Sequence, residues 1–370
     1  MTYTDIQKGR AMFRLKENEP EARERLKSFW MGKSIGRPAI AAYSRVGAYE
    51  PEKWTGAGLS KKQLNLNPEW YALNAKNSLL SRKFLCEAMP SATAGYGSLL
   101  SLLAALAGGD FEYGSDGSAW ISPLESVLEK KVPKFDPECE TVKAIEKILD
   151  KLAGTVGDLG FVSPPPLLDA MTTLSMFMEP GELCVALIGE PEKVKNWTRE
   201  ATKIYIDCYE HFYRYLNGKG YTDTTTWLPA MAESRMEAVQ CDFSVMLSPE
   251  MFDEFVLADS RRVTSYMDCS IWHHDGPEQF RFIEKIAALP KLRAVQWVFP
   301  KGEHPSEHLD KFKRIRGLGL SLLMDVKCVD DAVYLAGKLG PDGLFLSLPT
   351  FESEEAAASE VRRIEAACRA

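Results

Sequence analysis

The run Leu320-Ser321-Leu322-Leu323-Met324-Asp325, followed one helix later by Leu344-Phe345-Leu346-Ser347, decides the fold class. Neither run alternates apolar with polar residues as a half-solvated strand does. Both read as strands buried on two faces, as in a parallel sheet covered by helices. Between them Asp330 and Asp331 supply the acid that favours a helix start. The pattern extends through the second half without a break and, less regularly, through the first. Arg37-Pro38 opens the apolar run Ala39–Tyr43, and further strand candidates lie near 92–97, 159–163, 222–228, 237–243, 268–274 and 293–299. In the helix at 192–216, Val194, Trp197, Ala201, Ile204, Cys208, Phe212 and Tyr215 recur at spacings of three and four until Gly218. Ser353 with Glu354 and Glu355 introduces a final helix. No Gly-rich nucleotide fingerprint follows the first strand. The expected architecture is α/β: one (β/α)8 TIM barrel over 36–370, preceded by a helical extension at 1–35.

Composition narrows the function. The chain has 370 residues, of which 45% are hydrophobic and 26% charged, ordinary for a globular protein with a large core. Its net charge of -7 and lack of a basic block exclude a nucleic-acid groove as the main function. The longest apolar helical stretch, Leu99 to Ala107, is well short of the ~20 residues that span a bilayer. Met1–Asp5 lacks a signal-peptide pattern, and the eight cysteines form no CxxC pair. The expectation is a cytoplasmic enzyme with reduced thiols and no membrane or nucleic-acid partner.

A chemical site is expected where Cys269-Ser270-Ile271-Trp272 runs into His273-His274-Asp275-Gly276-Pro277. Residues i and i+2 of a strand share a face, so His273 and Asp275 can converge on one metal ion, substrate or proton. His274 faces the other way in a regular strand. In a barrel the C-terminal strand ends line the active site. Those ends offer Arg45, Tyr96, Trp227, Gln240 with Asp242, Gln296 with Trp297, Asp325 and Ser347. They describe a polar pocket with two tryptophans, suited to a small organic ligand. The competing structural roles are core packing for the tryptophans and for His273, and helix capping for Asp242 and Asp325. A catalytic zinc needs three protein ligands. His273 and Asp275 provide two, with Cys241 and Cys328 as candidates for a third, and the identity of the metal stays open.

Three segments carry a resemblance to the uroporphyrinogen decarboxylase superfamily, which includes corrinoid-dependent methyltransferases acting on thiols. They are Gly36-Arg37-Pro38-Ala39-Ile40 with Arg45, Asp242 through Phe255 with its Ser248-Pro249-Glu250 helix start, and His273–Pro277 leading to Ala294-Val295-Gln296-Trp297. The likeness runs from about residue 20 to the end. Porphyrinogen decarboxylases resemble one another in a pair of arginines after the first strand, and here Arg45 matches the first while Tyr49 stands at the second. Their catalytic aspartate follows the second strand, where this chain reads Ala92-Thr93-Ala94-Gly95-Tyr96-Gly97. The thiol methyltransferases resemble one another in a zinc set of His-x-Cys and a distant cysteine, at positions similar to His273, Asp275 and Ser347. That exchange of sulfur for oxygen implies a harder, weaker metal site.

The resemblance therefore implies a methyltransferase using corrinoid (cobalamin), free or on a corrinoid protein, to move methyl between cobalt and a small-molecule donor or acceptor. His273, Asp275 and Asp242 are the expected catalytic residues, with zinc or another divalent metal on His273 and Asp275. Arg45, Tyr96, Trp227, Gln240, Gln296, Trp297 and Asp325 are expected to bind substrate. The alternatives are a decarboxylase or other lyase anchored by Arg45, and a non-catalytic barrel binding a tetrapyrrole or a partner protein.

Overall fold

The computed structural model describes residues 12–56, 58–95, 100–113 and 119–369. The strands are β1 (Ala39–Arg45), β2 (Arg82–Cys86), β3 (Ser91–Thr93), β4 (Phe111–Tyr113), β5 (Ala119–Ile121), β6 (Phe161–Ser163), β7 (Met236–Val239), β8 (Cys269–His274), β9 (Leu292–Trp297), β10 (Ser321–Asp325) and β11 (Leu344–Phe351). Seven form one sheet in the order β2-β1-β11-β10-β9-β8-β7. Every neighbouring pair is parallel except β2 with β1, which is antiparallel at the edge. β3 and β6 form a separate parallel pair, and β4 pairs with β5 antiparallel.

The mixed α/β fold agrees with the sequence. Among the described residues the ladder does not close into an eight-stranded ring. The candidate strand at 222–228 contributes only an isolated antiparallel bridge, Thr224 to Ala232. Its threonines bond locally instead: Thr225 Oγ1 donates to the Leu228 carbonyl at 2.9 Å, and Thr226 Oγ1 accepts from the Leu228 N–H at 3.2 Å. Such side-chain bonds compete with a ladder and turn the chain back on itself. Side chains bridge two of the gaps. Ser163 Oγ donates to the Thr225 carbonyl at 2.5 Å and accepts from its N–H at 2.9 Å. Glu87 accepts from the Ile40 N–H at 2.7 Å, while its own N–H donates to the Ile40 carbonyl at 2.7 Å.

β2 was not expected from sequence. Its outer edge is blunted by the fully buried Lys16, whose Nζ donates to the carbonyls of Phe84 at 3.1 Å and Cys86 at 2.5 Å. The helix Glu19–Trp30 lies across the end of the sheet opposite His273. Phe29 meets Phe345 edge-on at 5.3 Å, and the Phe29 carbonyl accepts from Ser321 Oγ, at the start of β10, at 2.7 Å. Among the described residues no single helix is long and apolar enough to cross a membrane. One pair, Ala170–Phe177 with Pro180–Gly189, passes together but is bent by 113°.

Glu237 in β7 is fully buried and accepts hydrogen bonds from the N–H groups of Ala238 and Leu167; burial pushes its carboxyl well above the usual range. The folded chain thus keeps a proton that the unfolded chain releases. The stabilisation is complete below the unfolded value of about 4.3 and is lost progressively as pH rises towards the folded value. Thermal unfolding midpoints should fall between pH 5 and pH 8, and Glu237→Gln should flatten that decline. Parallel curves for the two proteins would contradict this assignment.

Candidate functional site

β8 delivers His273 and His274 to opposite faces, and the register with β9 sets their neighbours. His273 pairs with Gln296, and His274 with Trp297. His273 Nδ1 is hydrogen-bonded to Gln296 Oε1, and Gln296 Nε2 donates to Asp325 Oδ2 at 3.2 Å. Because the amide nitrogen of Gln296 serves Asp325, its oxygen accepts from His273 Nδ1–H. That fixes the tautomer and leaves the Nε2 lone pair available. The indole of Trp227 meets the His273 ring edge-on at 5.5 Å.

Asp242 reaches the same place from the end of β7. Its backbone N–H donates to Thr172 Oγ1 at 3.0 Å, and the chain there turns into a 3₁₀ helix at Asp242–Met246. Ligand atoms of Asp242, His273 and Asp275 all lie within 4.8 Å of one another. The buried Asp242 Oδ1 has no hydrogen-bond partner. Burial pushes the Asp242 carboxyl up; His273 pulls it down and Asp275 adds to the rise.

An open cavity of about 190 Å³, lined by Tyr43, Phe161, Thr226, Trp227, Asp325 and Ser347 among others, is linked to His273 by the Trp227 ring and by the Gln296–Asp325 bond, while Asp242, His273 and Asp275 do not themselves line it. The polar strand ends of β1, β10 and β11 thus meet the Trp227 loop, and Trp227 and Asp325, both expected to bind substrate, are among the lining residues. Sequence reasoning did not single out Tyr43 or Phe161; each sits in an apolar run that reads as core.

Other residues fall elsewhere. Trp297 is fully buried on the outer face, stacked on His274 at 4.6 Å and edge-on to Phe312 at 5.1 Å. Adjacent strand residues cannot share a face, so once Gln296 turns inward Trp297 packs against the helices. His274 is buried beside it, and burial, with His273 and Lys311 nearby, lowers its pKa to about 3. Gln240 is buried and lines a cavity of about 30 Å³ with Asp169 and Tyr205, room for roughly one water. β7 ends at Val239, so the two-residue period that would align Gln240 with Asp242 lapses. Arg45 is 67% exposed, bridges to Glu352 at 3.5 Å, and does not line the cavity. Cys241 is buried and Cys328 exposed, and neither joins the ligand group, whose third member is Asp242. Tyr96 lies outside the described residues.

No family model and no curated protein matches the chain. Among solved structures it is similar to a methyltransferase from Methanosarcina mazei, with a TM-score of 0.60 at 14% identity, over 94% of this chain and 98% of that one. The likeness is one of fold.

One imidazole nitrogen and two carboxylates suit a divalent ion of intermediate to hard character. Zinc–ligand distances of about 2.0–2.2 Å place tetrahedral ligands roughly 3.3 Å apart. A corrinoid ring does not fit inside the cavity at the strand ends, which is below the roughly 300–1,000 Å³ of pockets that enclose drug-sized ligands.

Proposed function

We propose that the chain is a methyltransferase-like enzyme, a divergent relative of the uroporphyrinogen decarboxylase superfamily with a barrel-type fold. In this reading it moves a methyl group between a small organic substrate and a corrinoid that stays outside the cavity, carried on a partner protein. The observation that carries the reading is the convergence of Asp242, His273 and Asp275 on one point, joined to the cavity through Trp227 and through Gln296 and Asp325, and supported by the likeness in fold.

Asp242, His273 Nε2 and Asp275 would hold a divalent ion, which supplies Lewis-acid activation of the substrate heteroatom. Gln296 and Asp325 keep His273 in its ligating tautomer. Trp227 stands between the cavity and the His273 ring and would help to orient the substrate. Decarboxylation anchored by Arg45 loses support because Arg45 is exposed and paired with Glu352. Binding of a tetrapyrrole within the barrel meets the same size limit as the corrinoid.

The test is methylation of cob(I)alamin by the purified protein across methylated amines, methoxy compounds and thioethers. Methylcobalamin should form with at least one donor. No turnover with any donor, together with no affinity for corrinoid, would overturn the reading.

A further inference from the structure

Asp242 and Asp275 both lie beyond the strands that deliver them, because the ladder between β7 and β8 stops at Val239 and that between β8 and β9 at His274. Neither carboxylate is fixed by sheet pairing. What joins them is the segment that follows Asp275. Gly276 takes a φ of 94°, which an L side chain rarely adopts, and an added Cβ would meet the Glu278 carboxylate at 3.0 Å. The chain turns there into a 3₁₀ helix at Pro277–Phe282, which packs against the one at Asp242–Met246.

Two side chains of the second helix hold the backbone of the first. Gln279 is fully buried, and its Nε2 donates to the carbonyl of Cys241, the residue before Asp242, at 3.1 Å. Its Oε1 accepts a longer bond, 3.5 Å, from the indole N–H of Trp272, the residue before His273. Arg281 Nη2 donates to the carbonyls of Val245 and Leu247, each at 2.8 Å, and to that of Ser244 at 3.3 Å. Those carbonyls sit at the C-terminal end of the Asp242 turn, where helical bonds run out and a cation is favoured.

We propose that Gln279 and Arg281 are positioning residues for Asp242, His273 and Asp275, clamping the turn that carries one carboxylate to the turn that carries the other. The inference rests on the reading of those three groups as a metal-holding site and is independent of methyl transfer. Lys285 supplies an internal comparison. It ties the same two stretches farther along, donating to the Pro249 carbonyl at 2.8 Å and to Asp253 at 2.5 Å.

The test is the zinc affinity of the full chain, measured by competition with a chromogenic chelator, together with the visible spectrum of its cobalt(II) form. Gln279→Leu and Arg281→Met should each weaken zinc binding by roughly 10-fold or more, the lower end of the loss usual when a group behind the ligands is removed. Both should also change the cobalt absorption. Arg281→Lys keeps a cation for the same carbonyls and should recover most of the affinity. Lys285→Met should match wild type in zinc affinity and in cobalt spectrum. Circular dichroism checks the fold, and if Gln279→Leu does not fold, the two variants of the exposed Arg281 carry the test. Wild-type affinity and spectrum in Arg281→Met and in folded Gln279→Leu, or an equal loss in Lys285→Met, would overturn the proposal alone. A wild-type chain that binds neither zinc nor cobalt would overturn the metal-holding reading with it.

Discussion

Replacing Arg37 by methionine is expected to lower stability by about 3–5 kcal/mol, the range for breaking one side of a buried ion pair. Arg37 grips Glu87 with both terminal guanidinium nitrogens, at 2.5 and 3.0 Å, and Glu87 is fully buried. Glu87 in turn accepts from the Ile40 N–H and so ties the loop after β2 to β1. After the substitution Arg25, 3.6 Å from Glu87 and partly exposed, remains as its partner. The charge would be left buried at the seam where the sheet edge meets the N-terminal segment. Arg37→Lys should fall between wild type and methionine, because an ammonium keeps the charge and loses the two-pronged fit. Urea unfolding followed by circular dichroism gives both values. A methionine variant within about 1 kcal/mol of wild type would show that Glu87 is held by its other contacts.

The larger functional effect is expected at His273. His273→Ala should reduce methyl transfer by about 10²- to 10⁴-fold, the contribution usual for a positioned group acting on the reacting heteroatom. Gln296→Leu removes the acceptor of Nδ1–H and releases the tautomer. It should cost about 10- to 100-fold in metal affinity, as loss of a partner behind a ligating histidine usually does. His274→Ala acts on the outer face, where the ring stacks on Trp297, and should change stability rather than turnover. If turnover survives His273→Ala and fails in His274→Ala, the assignment of faces is wrong.

The residues that were legible in the sequence are those whose environment repeats along the element. β8 to β11 could be read because burial on both faces writes largely apolar runs. β2 could not, because Arg82-Lys83 opens an edge strand that is only partly buried. The threonines of 222–228 have high β-propensity but spend their hydroxyls on local carbonyls, a choice that periodicity does not record. At the site, His273 and Asp275 come together although β8 ends at His274, whereas Gln240, one residue beyond the end of β7, lines a different cavity from the one at the strand ends. Trp297 illustrates a different limit. Gln296 and Trp297 are adjacent, so only one can face the cavity, and the register with His273 decides which. Asp242 takes the position beside His273 that the sequence left open between two cysteines, because the 3₁₀ turn carries it past Cys241.

Metal content tests the central claim most directly. Protein purified without added metal or chelator should carry about one equivalent of a divalent ion per chain. His273→Ala should lose it while keeping the wild-type circular dichroism spectrum. A metal-free wild type that also fails to take up zinc, manganese or iron on dialysis would contradict the assignment of Asp242, His273 and Asp275 as a metal-holding site.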